Sequence, residues 1–166
     1  FAQEALWFLD QLEPNEARSN QPGAVRLSGR LDMAALEKTL GEIIARHEPL
    51  RMSIETRDGR PYQVVAPPGH FRLPISDLSD RPLEEAEQEA TRLATEDAHR
   101  PFDLARGPLF RTFVMRLAEN EHILVLNFHH IATDGWSMGV FTDEFKTLYG
   151  AFLRGEPSPL RELPIQ

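Results

Sequence analysis

Two adjacent histidines, His129 and His130, are the residues of this sequence best suited to chemistry. Neutral imidazole accepts a proton near neutral pH, because its unperturbed pKa is about 6.5. A histidine in a cleft can therefore act as a general base for an amine, alcohol or thiol that attacks a carbonyl carbon. The alternative for such a pair is a structural one, in which both rings are hydrogen-bonded in the core.

The histidines end a predicted strand, and this placement separates their rings. Residues 123–128 (ILVLNF) are apolar at nearly every position, which is typical of a central strand covered on both faces, and the predicted strand runs over 123–130. Successive side chains on a strand point to opposite faces. We therefore expect one ring to be buried and the other to face a cavity. Rings on opposite faces cannot converge on one ion, so no metal site is predicted.

Asp134 and Gly135 follow within the same segment and lead into the last predicted helix. Asp134 has two candidate roles: it is either the N-cap of that helix or one half of a buried ion pair that fixes the loop. Gly135 permits a backbone shape or a close substrate approach that larger residues block. Backbone N–H groups at the start of the helix can also stabilise an oxyanion.

The elements that must position these residues are predicted from hydrophobic periodicity, and they indicate a layered α/β or α+β unit. Asp32 is the expected N-cap of one helix, and Asp58-Gly59 predicts a tight hairpin turn. Leu6, Trp7 and His47 are expected to pack in the core rather than to contact a substrate. Helices are predicted over 2–13 and 83–98, and two further helices carry apolar stripes that run from Leu36 to His47 and from Phe141 to Phe152. Strands are predicted over 24–31, 52–56, 63–66, 72–77, 110–117 and 123–130.

Composition excludes several classes of protein. The chain has 166 residues, which corresponds to one domain at about 150 residues per domain. Its net charge of −8 argues against nucleic-acid and anionic-membrane partners. The absence of cysteine excludes disulfides and thiol nucleophiles and agrees with a cytoplasmic location. The longest apolar run, Ala5–Leu9, is far shorter than the about 20 residues of a membrane span. Because the chain begins at Phe1, we expect it to be part of a longer protein.

Several segments resemble one known family. The stretch 129–135 reads HHIATDG and matches the HHxxxDG signature of condensation domains of nonribosomal peptide synthetases. Related acyltransferases of the chloramphenicol acetyltransferase-like superfamily share that signature. Residues 2–9 (AQEALWFL) resemble the family's AQxRLWFL motif, and residues 46–51 (RHEPLR) resemble its RHExLR motif. The segments 101–104 (PFDL) and 107–111 (GPLFR) are also similar to the family, so the resemblance covers essentially the whole chain.

The resemblance implies a fold and a reaction. Family domains consist of two similar lobes with the active site in a tunnel between them, and residues 1–166 resemble the N-terminal lobe, with the C-terminal lobe absent. The implied lobe is a mixed sheet with helices packed on it. Members join two acyl groups held as thioesters on the phosphopantetheine arms of carrier proteins. The expected partners are therefore an upstream donor carrier, a downstream acceptor carrier and the second lobe, and the lobe itself binds no cofactor.

The same resemblance assigns roles to individual residues. His130 is expected to face the tunnel as the catalytic residue, where it deprotonates or positions the attacking amine. His129 is expected to be structural, and Gly135 to lie beside the reacting carbonyl. Asp134 is expected to pair with an arginine, for which Arg51 is the candidate. No substrate-binding residue is assigned.

Other interpretations of the same motif remain open. A coenzyme A-dependent acyltransferase would share it, and so would an epimerisation domain, although the continuation 136–138 (WSM) is more similar to condensation domains. A third possibility is a non-catalytic module that docks carrier proteins. The sequence departs from the family's usual residues at Ala5, Met52 and Ile54. An isolated lobe is expected to be inactive, and its exposed inter-lobe surface to favour self-association.

Overall fold

A four-stranded mixed sheet carries the two histidines at one end. The structure is a computed structural model that describes residues 2–14 and 16–163. In the sheet, β6 (Glu121–His129) lies between β1 (Asn20–Ser28) and β5 (Phe110–Ala118) and is antiparallel to both. The short strand β4 (Ile75–Asp77) pairs in parallel with β5. The prediction of a mixed sheet with β6 near its centre is confirmed.

The central position of β6 explains its apolar sequence, since helices cover both of its faces. On one face, Leu124, Leu126 and Phe128 join the largest core cluster, under α2 (Met33–Arg46) and α4 (Gly135–Leu153). On the other face, Val125 packs under α3 (Leu83–His99) in a separate cluster. The result is a three-layer arrangement of helices, sheet and helix, as the layered prediction requires.

The edge strand β1 begins earlier than its sequence pattern predicts. The alternation favours a strand over 24–31, whereas the observed strand covers Asn20–Ser28. Pro22 and Gly23 are poor strand formers, but Pro22 lies on the edge of the sheet, where a missing N–H is tolerated. Backbone pairing with β6 therefore overrides local propensity, and Gly29, at φ +107°, ends the strand.

Helix α2 begins and packs as predicted. The Asp32 carboxylate accepts a hydrogen bond from the Ala35 N–H at 2.9 Å, which satisfies a donor that the first turn leaves open. Leu36, Leu40 and Ile43 are fully buried against the sheet. The helix ends at Arg46, and a 3-10 turn, Glu48–Arg51, leads into the next strand.

A separate two-stranded hairpin packs beside the sheet. Its strands β2 (Met52–Arg57) and β3 (Arg60–Val65) are joined by Asp58 and Gly59, both with positive φ, as the two-residue turn requires. Helix α1 (Ala2–Leu12) places Leu6 and Trp7 against the core cluster under this hairpin, which confirms their predicted packing role. Within the described residues, no helix has the length and apolar character needed to cross a membrane.

Candidate functional site

The connection from β6 to α4 forms the site. Strand β6 ends at His129, one residue before the predicted end, so His130 is the first residue of a short connection. The His130 N–H donates to the Ser19 carbonyl at 2.8 Å, and the Ala132 N–H donates to the His129 carbonyl at 2.9 Å. These hydrogen bonds fix the position of the backbone at His130.

His129 is buried and structural in its contacts. The residue is only 3% exposed, and the Nδ1 atom of its ring accepts a hydrogen bond from the Ile131 N–H at 3.1 Å. The ring meets Phe102 edge-on, with 5.8 Å between the ring centroids. Burial, aided by the neighbouring His130, lowers the pKa of His129 to about 4. The ring is therefore neutral at neutral pH, and the proton resides on Nε2.

His130, by contrast, is exposed at the surface. Its Nδ1 lies 2.7 Å from Nε2 of Gln21 and 3.0 Å from the Thr133 carbonyl oxygen. The ring's own Nε2 has no hydrogen-bond partner within residues 2–14 and 16–163. The two rings are thus separated as predicted, the first buried at the end of the strand and the second exposed just past it. In the described part of the chain, no group of three or more His, Asp or Glu residues could hold a metal ion.

Asp134 is the N-cap of α4. Its Oδ1 accepts hydrogen bonds from the Ser137 N–H at 2.8 Å and from the Ser137 hydroxyl at 2.6 Å, and the same hydroxyl completes a capping box with the Asp134 N–H. These bonds from Ser137 lower the pKa of Asp134. Of the two roles considered for Asp134, the structure contains the cap. Because its carboxylate engages the Ser137 N–H, that helix-start donor is not available to an oxyanion.

The expected ion pair between Asp134 and Arg51 requires correction. The Arg51 Nε donates to the Ile44 carbonyl at 3.0 Å, and its guanidinium also contacts the Ala66 carbonyl. Arg51 therefore satisfies backbone oxygens at the end of α2 and just beyond β3, whereas Asp134 is exposed and bonded to Ser137. Within the described residues the two side chains do not meet, since each finds its partners locally.

Gly135 opens the first turn of α4 at an exposed position. A Cβ built there meets no atom within 4 Å, so nothing within the described chain requires glycine at this position. Together with Gln21 and Phe128, the residue lines a groove of about 570 Å³ between β1 and α4. The surface beside Gly135 is therefore open to a ligand or to another segment of protein.

Two features of the site's surroundings were not predicted from sequence. Gln21 approaches His130 because β1 pairs with β6 along its whole length, beyond the predicted start of the strand. Glu144 of α4, itself buried, holds Arg46 at 2.9 Å and His47 Nε2 at 2.7 Å. His47 is hydrogen-bonded as expected, to a partner 97 residues away in sequence, but it is partly exposed rather than part of the core.

Comparisons with known proteins agree with this architecture. The family model described as "Condensation domain" matches residues 1–165. The chain is 49% identical to a linear gramicidin synthase of Brevibacillus parabrevis and 47% identical to chondramide synthase of Chondromyces crocatus, over 100% and 99% of its own length. It spans only 2% and 4% of the length of those two proteins.

Solved structures give the same picture. The first condensation domain of the calcium-dependent antibiotic synthetase, in complex with a substrate analogue, superposes with a TM-score of 0.87 at 31% identity. That alignment covers 98% of this chain and 39% of the other. The starter condensation domain of rhizomide synthetase shares the fold at 23% identity, with a TM-score of 0.86.

Proposed function

The chain belongs to the condensation-domain family, and from that membership we propose that it is the N-terminal lobe of a domain that forms amide bonds between carrier-bound thioesters. The match over residues 1–165 and the 39% coverage of a solved condensation domain support the assignment as one of two lobes. We also propose a second lobe, a tunnel between the two lobes and two carrier proteins as partners. Each carrier would hold its substrate on a phosphopantetheine arm. A cytoplasmic location stays a prediction.

The observation that carries the proposal is the free Nε2 of His130. His130 is exposed and its ring is held through Nδ1 by Gln21 and Thr133, so among the described residues Nε2 is the ring nitrogen left for a substrate. In the proposed reaction, the acceptor's amine nitrogen attacks the donor's thioester carbon. A C–N bond forms, the C–S bond breaks, and the donor arm leaves as a thiolate, which becomes the thiol when the proton lost by the amine is passed on to it.

The proton lost by the attacking amine needs an acceptor, and Nε2 of His130 fits that role. It takes the proton from the amine or from the tetrahedral intermediate, or it positions the amine by a hydrogen bond. His129 does not compete for this role, because its ring is buried and its Nδ1 is occupied by the Ile131 N–H. Asp134 and Gly135 would act by placing α4 beside the reacting groups, and Arg51 by holding the end of α2 next to the hairpin.

The test is His130→Ala in the full synthetase that carries this chain. Donor and acceptor carriers are loaded with aminoacyl groups, and dipeptidyl-carrier is measured by intact-protein mass spectrometry. We expect the rate to fall at least about 100-fold, as the loss of a general base entails, with no change in the unfolding midpoint. The matched control is His70→Ala, at an exposed histidine before β4, which is expected to react at the normal rate.

Full product formation by His130→Ala would contradict a chemical role for this ring. Product formation from a free acyl-coenzyme A donor, without a donor carrier, would favour the alternative acyltransferase. Intact carrier binding without product in any variant, including the unaltered protein, would favour the docking alternative.

A further inference from the structure

The two groups that contact Nδ1 of His130 make opposite demands on its proton. The Thr133 carbonyl oxygen, at 3.0 Å, can only accept a hydrogen bond, so it bonds to Nδ1 when that nitrogen carries the proton. The amide nitrogen of Gln21, at 2.7 Å, can only donate, so it bonds to Nδ1 when that nitrogen is bare. Neutral imidazole has one N–H, and both contacts cannot be hydrogen bonds at once.

Rotation of the Gln21 amide by about 180° removes the conflict, because oxygen and nitrogen exchange places with almost no change in shape. With the oxygen toward the ring, both Gln21 and Thr133 accept from the Nδ1 proton. The Thr133 hydroxyl, 2.8 Å from the other end of the amide, then accepts from the amide nitrogen. That hydroxyl turns its own proton toward the His129 carbonyl, 3.4 Å away.

The oxygen-inward arrangement satisfies more groups. Thr133 is a buried residue, and its carbonyl oxygen accepts a hydrogen bond from the ring N–H only when the Gln21 oxygen faces the ring. The Thr133 hydroxyl serves either arrangement, since a hydroxyl both donates and accepts. Buried carbonyls left without a donor are costly, which favours this state.

We propose that the side-chain amide of Gln21 selects the tautomer of His130, holding the proton on Nδ1 and leaving Nε2 bare. Gln21 is thus a positioning residue: it acts through the ring and does not touch the reacting atoms. The effect of Gln21 on catalysis rests on the proposed function, in which only an unprotonated Nε2 can accept the amine's proton. The tautomer itself does not depend on that function.

The tautomer is measured directly by NMR of the full condensation domain that contains this chain, labelled with ¹⁵N-histidine. Signals of His130 are assigned by their loss in His130→Ala, and spectra are recorded where the ring is neutral. The unaltered chain is expected to show a protonated Nδ1 and a bare Nε2. Gln21→Met, which keeps the length of the side chain without its hydrogen bonds, is expected to shift the ring toward the Nε2–H tautomer. Gln21→Glu, which can only accept, is expected to keep the proton on Nδ1.

The control is Gln11→Met, at an exposed glutamine of α1 whose amide contacts Asp10, and its spectrum is expected to match the unaltered chain. An Nε2–H tautomer in the unaltered chain, or an unchanged tautomer in Gln21→Met, would overturn the proposal. In the full protein, Gln21→Met is expected to lower kcat at least about tenfold with KM unchanged. An equal kcat despite a shifted tautomer would refute the catalytic consequence. If the unaltered protein makes no amide product, the proposed function fails, while the spectra still decide the tautomer.

Discussion

Protonation of His129 is expected to destabilise the fold between about pH 6.5 and about pH 4. The unfolded ring has the ordinary pKa of about 6.5, whereas burial lowers the pKa in the folded state to about 4. Between these values the unfolded chain binds more protons than the folded chain, so the free energy of unfolding falls as the pH falls. The stabilisation is complete above the unfolded pKa of about 6.5 and is lost below the folded pKa of about 4.

The two pKa values give the size of the effect. At about 1.4 kcal/mol per unit of pKa, the full loss is about 3 kcal/mol, and about 2 kcal/mol of it falls between about pH 7 and about pH 5. The assay is urea unfolding of the 166-residue chain at a series of pH values. Burial also lowers the pKa of His122, so this second ring adds a loss in the same direction.

A variant isolates the contribution of His129. His129→Gln cannot titrate but keeps an acceptor for the Ile131 N–H, so its free energy of unfolding is expected to depend less on pH by about 2 kcal/mol over that range. The matched control, His70→Gln, removes an exposed histidine and is expected to keep the full dependence. The comparison uses the change in the free energy of unfolding between about pH 7 and about pH 5 for each protein, so a lower absolute stability of the variant does not affect it. A pH dependence of His129→Gln equal to that of the unaltered chain would refute the reasoning.

Two further predictions concern stability. Asp134→Ala removes the cap of α4 and is expected to lower the free energy of unfolding by about 1 kcal/mol, whereas Asp143→Ala, at an exposed position in the same helix, changes it by less than about 0.5 kcal/mol. Equal effects in urea unfolding would contradict the cap. Gly107→Ala is expected to lower the free energy of unfolding more than Gly155→Ala does, by at least about 1 kcal/mol. Both glycines have positive φ, but a Cβ added at Gly107 would lie 2.9 Å from the Met52 carbonyl oxygen, whereas one added at Gly155 meets no atom within 4 Å. Melting temperatures that fall equally would contradict the steric argument.

The sequence predicts best where one physical period dominates. Along β6, side chains alternate between two covered faces as far as His129, which is buried as the last residue of the strand. His130 lies just past the strand and is exposed, so the separation of the two rings was predictable, but the exact end of the strand was not. The helix cap at Asp32 and the turn at Asp58-Gly59 are equally local, because each depends on residues within one turn of chain.

Features formed by distant residues were not predictable from local patterns. The start of β1 depends on pairing with β6, which draws Pro22 and its neighbours into the sheet despite their poor strand propensity. The contact between Gln21 and His130 joins residues 109 apart in sequence and leaves no periodic signal. The expected pair between Asp134 and Arg51 was wrong for the opposite reason: nearby backbone and hydroxyl groups satisfy both side chains first.

The bond network around Glu144 has a consequence for protein engineering. This buried carboxylate of α4 binds Arg46 and His47, which close α2 next to the hairpin, so the two helices are matched to each other by charge. A chimera that takes α2 from one relative and α4 from another would separate the carboxylate from these two partners unless both parents share them. Recombination junctions are therefore better placed outside 20–153, so that both helices are exchanged together with all four strands of the sheet.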